Sequence, residues 1–289
     1  MILAFSFRVQ VMTLEMHRNG SMGISNEKIV KFRRKVFTFF KNHGRDLPWR
    51  MTEDPYKILL SELMLQQTQV SRVITYYTSW VQRWPTIQLL ATASRHEVLQ
   101  AWMGLGYNTR AIRLQKAAQI IVKEFQGDVI TAMNNYKAIP GVGRYTSQAV
   151  LIFAANADLA TVDTNIRRIF IHEFSLPETV SEKTIWGLAQ RCLPKGRSRD
   201  WHNALMDYGA LHLTARKTGI PPKTKQPRFE ESDRQLRGRI IRLLLQKDQG
   251  FAQIKKLFEV DEPRLQIILD KLAHEGIISR KNDRYHLKE

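Results

Sequence analysis

The sequence predicts an all-α body closed by a small α+β domain, and three observations carry that expectation. Apolar residues recur at three- and four-residue spacing through most of 26–218, as at Ile29, Phe32, Val36 and Phe39, the stripe of a helix that buries one face. Alternating runs rich in β-branched residues are scarce there. Breakers interrupt the pattern at short intervals, among them Pro48, Pro55, Pro85, Gly104, Gly106, Gly127, Pro140, Gly141, Gly143 and Pro177, so many short helices are joined by tight loops.

The elements follow in order. Residues 1–25 lack the basic start and the length of a signal peptide or membrane span, and we expect them to be disordered or a mis-assigned start. A helical body spans 26–218. The stretch 219–231, with Pro221, Pro222 and Pro227 among Lys223, Lys225 and Arg228, reads as a basic extended linker. Beyond it, 232–289 predicts a basic amphipathic helix from Ser232 to Gln246, a short helix at Phe251–Phe258 and a third at Pro263–His274. A hairpin follows, turning at Lys281-Asn282-Asp283. Three helices and a hairpin is the order of a winged helix.

Charge narrows the partner. Lys and Arg number 45 against 27 Asp and Glu, a formal net charge of +18, and the pI is about 10.1. That imbalance on a folded chain points to a polyanion, with nucleic acid favoured over an anionic membrane. No run reaches the roughly 18 apolar residues of a membrane span. The one cysteine, Cys192, is too few for a disulfide, a cysteine zinc site or a four-thiolate iron–sulfur cluster. It suits a reducing cytoplasm.

Three constellations carry chemistry. Ile139-Pro140-Gly141-Val142-Gly143-Arg144-Tyr145-Thr146 lies between two helical stretches. Its glycines open a helix start whose backbone N–H groups can grip a phosphate, though a plain helix–helix turn reads the same way. The main-chain carbonyls of Ile139 and Val142 there are a candidate cation site. Asp163, in Thr161-Val162-Asp163-Thr164-Asn165, follows Gly143 by twenty residues. It reads either as a helix cap or as a carboxylate that the intervening helix delivers to a cleft. Glu62 stands in Leu60-Ser61-Glu62-Leu63-Met64-Leu65-Gln66-Gln67-Thr68-Gln69. On a helix it shares a face with Ile58, Leu59, Leu65, Gln66 and Gln69. A carboxylate there is either raised in pKa for acid catalysis or snorkels from a helix edge.

Together with Gly44-Arg45-Asp46-Leu47-Pro48-Trp49-Arg50, Trp102-Met103-Gly104-Leu105-Gly106-Tyr107, and Met206-Asp207 with Gly209-Ala210, these blocks resemble the helix-hairpin-helix DNA glycosylases. The resemblance is closest to the adenine-specific mismatch enzymes of the MutY type and covers about residues 42–209. It implies a two-lobed helix-hairpin-helix fold and hydrolysis of the N-glycosidic bond of a flipped adenine mispaired with 8-oxoguanine or guanine. Glu62 would be the acid, Asp163 the carboxylate that stabilises the sugar cation, and Asn165 its polar partner. Gln66, Gln67 and Tyr107, with Gln69 beside them, would contact or wedge into the duplex, and Gly141, Val142, Gly143, Arg144 and Thr146 would hold its backbone. Relatives that also cut the strand carry a lysine at Tyr145, so excision without strand cleavage is expected.

Two departures accompany the resemblance. Leu213 stands where the first cysteine of a [4Fe–4S] cluster would be, so no cofactor is expected, and Leu211, Leu213 and Trp201 are expected to fill that space. The C-terminal Nudix-like domain of the family is replaced by the shorter winged helix. The alternatives are a thymine– or uracil–guanine mismatch glycosylase on the same fold and a non-enzymatic winged-helix DNA-binding protein. A cytoplasmic, nucleoid-associated monomer acting on mismatched double-stranded DNA, away from membranes, is the expectation.

Overall fold

A computed structural model describes residues 23–221 and 228–288. The expected leader lies almost entirely outside these residues, as does the centre of the linker. The chain divides into two compact units, one made of Met1–Arg45 with Asp158–Lys223, the other of Asp46–Ala157 with Thr224–Glu289. No described helix is long and apolar enough to cross a membrane.

The first unit is built on α1 (Asn26–His43). Ser25 caps it by accepting from the Lys28 N–H, and Ile29, Phe32 and Val36, at helical spacing, are its buried face. They pack against α9 (Thr164–Phe174), α10 (Glu182–Cys192) and α11 (Ser198–Asp207). Phe32 is the hinge of this core, its ring 5.1 Å from Phe174 and 5.6 Å from Trp201, both edge-on. Arg33 reaches from α1 to the open end of α10, donating to the carbonyls of Arg191, Cys192 and Leu193, groups no helix can satisfy internally. After α11 comes one wide π-type turn, Tyr208–His212, then a short helix, α12 (Ala215–Thr218). Trp201 and Leu213 are buried as expected, but Leu211 is exposed. The wide turn sets Leu213 inward and leaves Leu211 outside, which corrects that part of the expectation.

The second unit is centred on α2 (Pro55–Leu65), whose Tyr56, Ile58, Leu59, Leu60, Ser61, Leu63 and Met64 are all buried. Around it lie α3 (Val70–Arg83), α4 (Ile87–Thr92), α5 (Arg95–Trp102), α6 (Thr109–Phe125), α7 (Val129–Asn134) and α8 (Arg144–Ala155). Trp80 stacks edge-on with Trp84 at 4.6 Å and Trp102 at 5.5 Å. The C-terminal segment belongs to this same unit. It forms α13 (Asp233–Leu244), β1 (Gln249–Gly250), α14 (Phe251–Phe258), α15 (Glu262–His274), β2 (Ile278–Lys281) and β3 (Arg284–Leu287), close to the predicted order. The sheet is antiparallel in the order β1-β3-β2, with Gln249 opposite Tyr285 and Ile278 opposite Leu287. Two contacts seat this domain on α5: Arg95 donates to the Gly276 carbonyl at 2.8 Å, and His96 Nε2 lies 2.9 Å from the Leu245 carbonyl.

Candidate active site

In the second unit, α2 begins with Asp54 as its cap and Pro55 at its first position, and carries Glu62, half-buried, as its eighth residue within leucine-rich sequence. The helix stops at Leu65. Gln66 is already extended, and Gln67 has φ 61°. The expected shared face therefore breaks: Gln66, Gln67 and Gln69 lie on a loop, not on the helix with Glu62. No Gly or Pro marks this stop. Its cause is Arg110, a buried residue at the start of α6, 6% exposed. Its guanidinium donates to the carbonyls of Leu63, Met64 and Gln66, to Thr68 Oγ1 and to the carbonyls of Leu105 and Gly106. One side chain thus closes the end of α2 and ties two loops, 66–69 and 103–107, together. Burial pushes Arg110 down to about 10, which leaves it charged at neutral pH. Tyr107, on the second loop, has φ 49° and is 38% exposed. Left-handed backbone at Gln67 and Tyr107, one in each loop, is strain that only a closely determined surrounding maintains.

The hairpin sits in the same unit between α7 and α8. Gly141 has φ 80°, and a Cβ there would lie 2.9 Å from Arg113 Cβ, so the turn needs glycine for both its torsion and its approach to α6. At Gly143 a Cβ would meet open space, and no side chain caps α8. Gly141, Gly143 and Arg144 are exposed, while Val142 and Thr146 are buried. Ser147 Oγ donates to the Met133 carbonyl at 2.8 Å, fastening the two helices. The Ile139 carbonyl accepts from the Val142 N–H at 3.2 Å, and Tyr145 lies half-buried in the first turn of α8.

Asp163 is carried by the first unit. It caps α9, accepting from the Ile166 N–H at 2.7 Å through Oδ1 and from Asn165 Nδ2 at 3.0 Å through Oδ2. An ordinary cap is bathed in water. Here desolvation outweighs these hydrogen bonds and the nearby Arg168 charge, and pushes the carboxyl above its usual range. Asn165 is held in turn by buried Arg168, whose Nη2 donates to its Oδ1 at 2.8 Å, fixing which end of the amide faces Asp163. Arg168 also donates to the Leu213 carbonyl at 2.8 Å and the Gly209 carbonyl at 3.3 Å. The segment leading to Asp163 is pinned by buried His202, whose Nε2 accepts from the Thr161 N–H at 3.1 Å while Nδ1 faces the Ser198 carbonyl at 2.8 Å. Desolvation lowers His202 to about 4, so it is neutral with its proton on Nδ1. Arg45 and fully buried Asp207 join the two motifs that carry them: Arg45 Nη2 and Nε both lie 2.7 Å from Oδ1, and the Arg45 N–H donates to Oδ2 at 2.8 Å.

The structure thus joins Asp163 with Asn165, and the Gln66 loop with the Tyr107 loop. The residues that do the joining, Arg110, Arg168 and His202, were missed by the sequence reading. Arg110 had a signal: it stands in the apolar stripe it shares with Leu114, Ala117 and Ile121, where a lone charge needs a reason.

Residues 60–194 match the HhH-GPD superfamily of base excision DNA repair proteins. The adenine DNA glycosylase of Mycolicibacterium smegmatis is 32% identical over 272 residues, 86% of this chain and 93% of that one. This chain belongs to the adenine DNA glycosylase family. The human adenine DNA glycosylase is 40% identical over 200 residues, but those cover 65% of this chain and 37% of the human one, so this family member spans about two fifths of its human relative. Among solved structures, a thermostable thymine-DNA glycosylase superposes with a TM-score of 0.63 at 31% identity, covering 68% of this chain and 91% of that one. Among the described residues there is no group of three or more His, Cys, Asp or Glu arranged to hold a metal ion.

Proposed function

We propose that this protein hydrolyses the N-glycosidic bond of adenine mispaired with 8-oxoguanine or guanine in double-stranded DNA, without cutting the strand. The observation that carries the reading is the setting of Asp163. A carboxylate desolvated at a helix start, gripped by the Ile166 N–H and by an amide oriented from behind, suits stabilising positive charge on a sugar. Glu62, half-buried on a helix of leucines, is the acid for the departing base. Tyr145 supplies no amine for a Schiff base. The hairpin at 139–146 grips a phosphate through its uncapped helix start, and Gln66, Gln67, Gln69 and Tyr107 meet the bases. We expect a monomer working where the cell keeps its DNA.

The test is excision from duplexes bearing A opposite 8-oxoguanine, A opposite G, and T or U opposite G. We expect adenine release, and loss of turnover by at least about a thousandfold in D163N with duplex binding retained. Preference for T or U opposite G would transfer the reading to the thymine branch, to which the 31% identical structure belongs.

We further propose that the fold stands without an iron–sulfur cluster, which many members of the family bind through four cysteines. The residues here do not fit that group. Cys192 is the sole thiol, it is wholly buried, and desolvation pushes it up to about 12, far from the thiolate a metal needs. Leu213 is packed in the core, and its carbonyl is taken by Arg168. Purified protein should be colourless, with iron and acid-labile sulfide well below one equivalent; stoichiometric iron and sulfide would overturn this.

A further inference from the structure

The arginines of the C-terminal domain look, in sequence, like a basic stripe. In the fold most are taken up within that domain. Arg237 pairs with Glu275, Arg264 with Asp233 and Arg280 with Asp283; Arg239 stacks on Phe258; Arg284 donates to the Asp248 carbonyl. Arg234 differs. From the first turn of α13 it reaches out of the domain, and its Nη1 donates to the Tyr107 hydroxyl at 2.9 Å.

Tyr107 is thereby held from three directions. Its backbone is fixed in the left-handed region beside Leu105 and Gly106, both bound by Arg110. Its ring has the Arg110 guanidinium 5.5 Å from the centroid and that of Arg234 at 5.7 Å. Its hydroxyl accepts from Arg234. An exposed aromatic on a strained loop otherwise swings among rotamers, and fixing one of them ahead of binding removes an ordering cost. The domain that supplies Arg234 is itself seated on α5 through Arg95 and His96, so the arginine is delivered from a fixed base.

We propose that Arg234 is a positioning residue for Tyr107, and that the C-terminal domain takes part in opening the duplex through this contact. The proposal rests on the reading above, in which Tyr107 enters the base stack. The winged domain is then a brace for the wedge.

The test uses the full chain with Asp163→Asn, so that no substrate is consumed, and a duplex with 2-aminopurine beside the target adenine, whose fluorescence rises on unstacking. R234A and Y107F should each lower the unstacked fraction at saturating protein, with an equilibrium change of about fivefold, the scale of one hydrogen bond. The double variant should be no worse than either alone, and R234K should recover much of the signal. R242A, a change at an exposed arginine on the same helix, should match the parent. Effects of R234A and Y107F that multiply, an unchanged signal in R234A, or an equal loss in R242A would each overturn the proposal. Adenine excision by the unaltered enzyme is scored separately: its absence would sink the functional reading, whereas excision with uncoupled variants would sink this proposal alone.

Discussion

Arg110 and Arg168 are both buried arginines at 6% exposure, and they solve the same problem differently. Arg110 distributes its donors over five carbonyls and one hydroxyl, with no carboxylate among them. Arg168 divides its donors between two carbonyls and Asn165, and through Asn165 it reaches the charge of Asp163. Desolvation lowers both guanidinium pKa values; for Arg168 the Coulombic pull of Asp163 opposes it. The first arginine is a fastener for backbone, the second an electrostatic link to a carboxylate. A buried cation paired with carbonyl dipoles alone builds shape; one that faces an acid sets its titration as well.

Breaking the fastener should have the larger effect on the fold. R110L leaves the carbonyls that end α2 without a donor and releases the strained backbone at Gln67 and Tyr107. Unfolding free energy should fall by about 3–4 kcal/mol in denaturant titration, the scale of a buried polar network losing its centre. Duplex affinity should fall with it. A loss under about 1 kcal/mol would mean that the two loops hold themselves.

Breaking the link should act on chemistry and leave the fold close to intact. R168Q keeps a polar side chain with one NH2 donor group at this position but removes the charge. Asp163 is already raised by desolvation, and the Arg168 charge lowers it; without that charge it rises further. On the proposed role of Asp163, excision needs the ionised form, so the rate is full at higher pH and is lost as pH falls through the carboxyl pKa. In R168Q this acid limb should move to higher pH, with a rate loss of about tenfold near neutrality, read from single-turnover pH profiles. An unmoved limb would demote Arg168 to a second fastener.

The same contrast explains what the sequence made legible. Helix positions followed from apolar periodicity and caps, and the winged order of the C-terminal domain followed from a turn at Lys281-Asn282-Asp283 between short runs. Asp163 was open to two readings, cap and chemical carboxylate; its bond from Ile166 makes it a cap, and its desolvation sets it apart from an ordinary one. The end of α2 was not legible, because its cause lies 44 residues downstream at Arg110 and local sequence carries no breaker there. The pairing of the C-terminal arginines was not legible for a related reason: composition counts charges, while partners such as Glu275, Asp233 and Asp283 are found only in the fold.

The crowding of Gly141 against Arg113 gives α6 a further consequence. Arg110 and Arg113 are three residues apart on that helix, a rise of about 4.5 Å along its axis. One stiff rod therefore touches the hairpin turn at one point and knots the two strained loops at another. It serves as a ruler: the offset between the hairpin turn and the point where the two loops are tied is set by helical pitch. Inserting one residue between Arg110 and Arg113 would swing one contact about 100° away from the other, so the register of this stretch is written in its length as much as in its side chains.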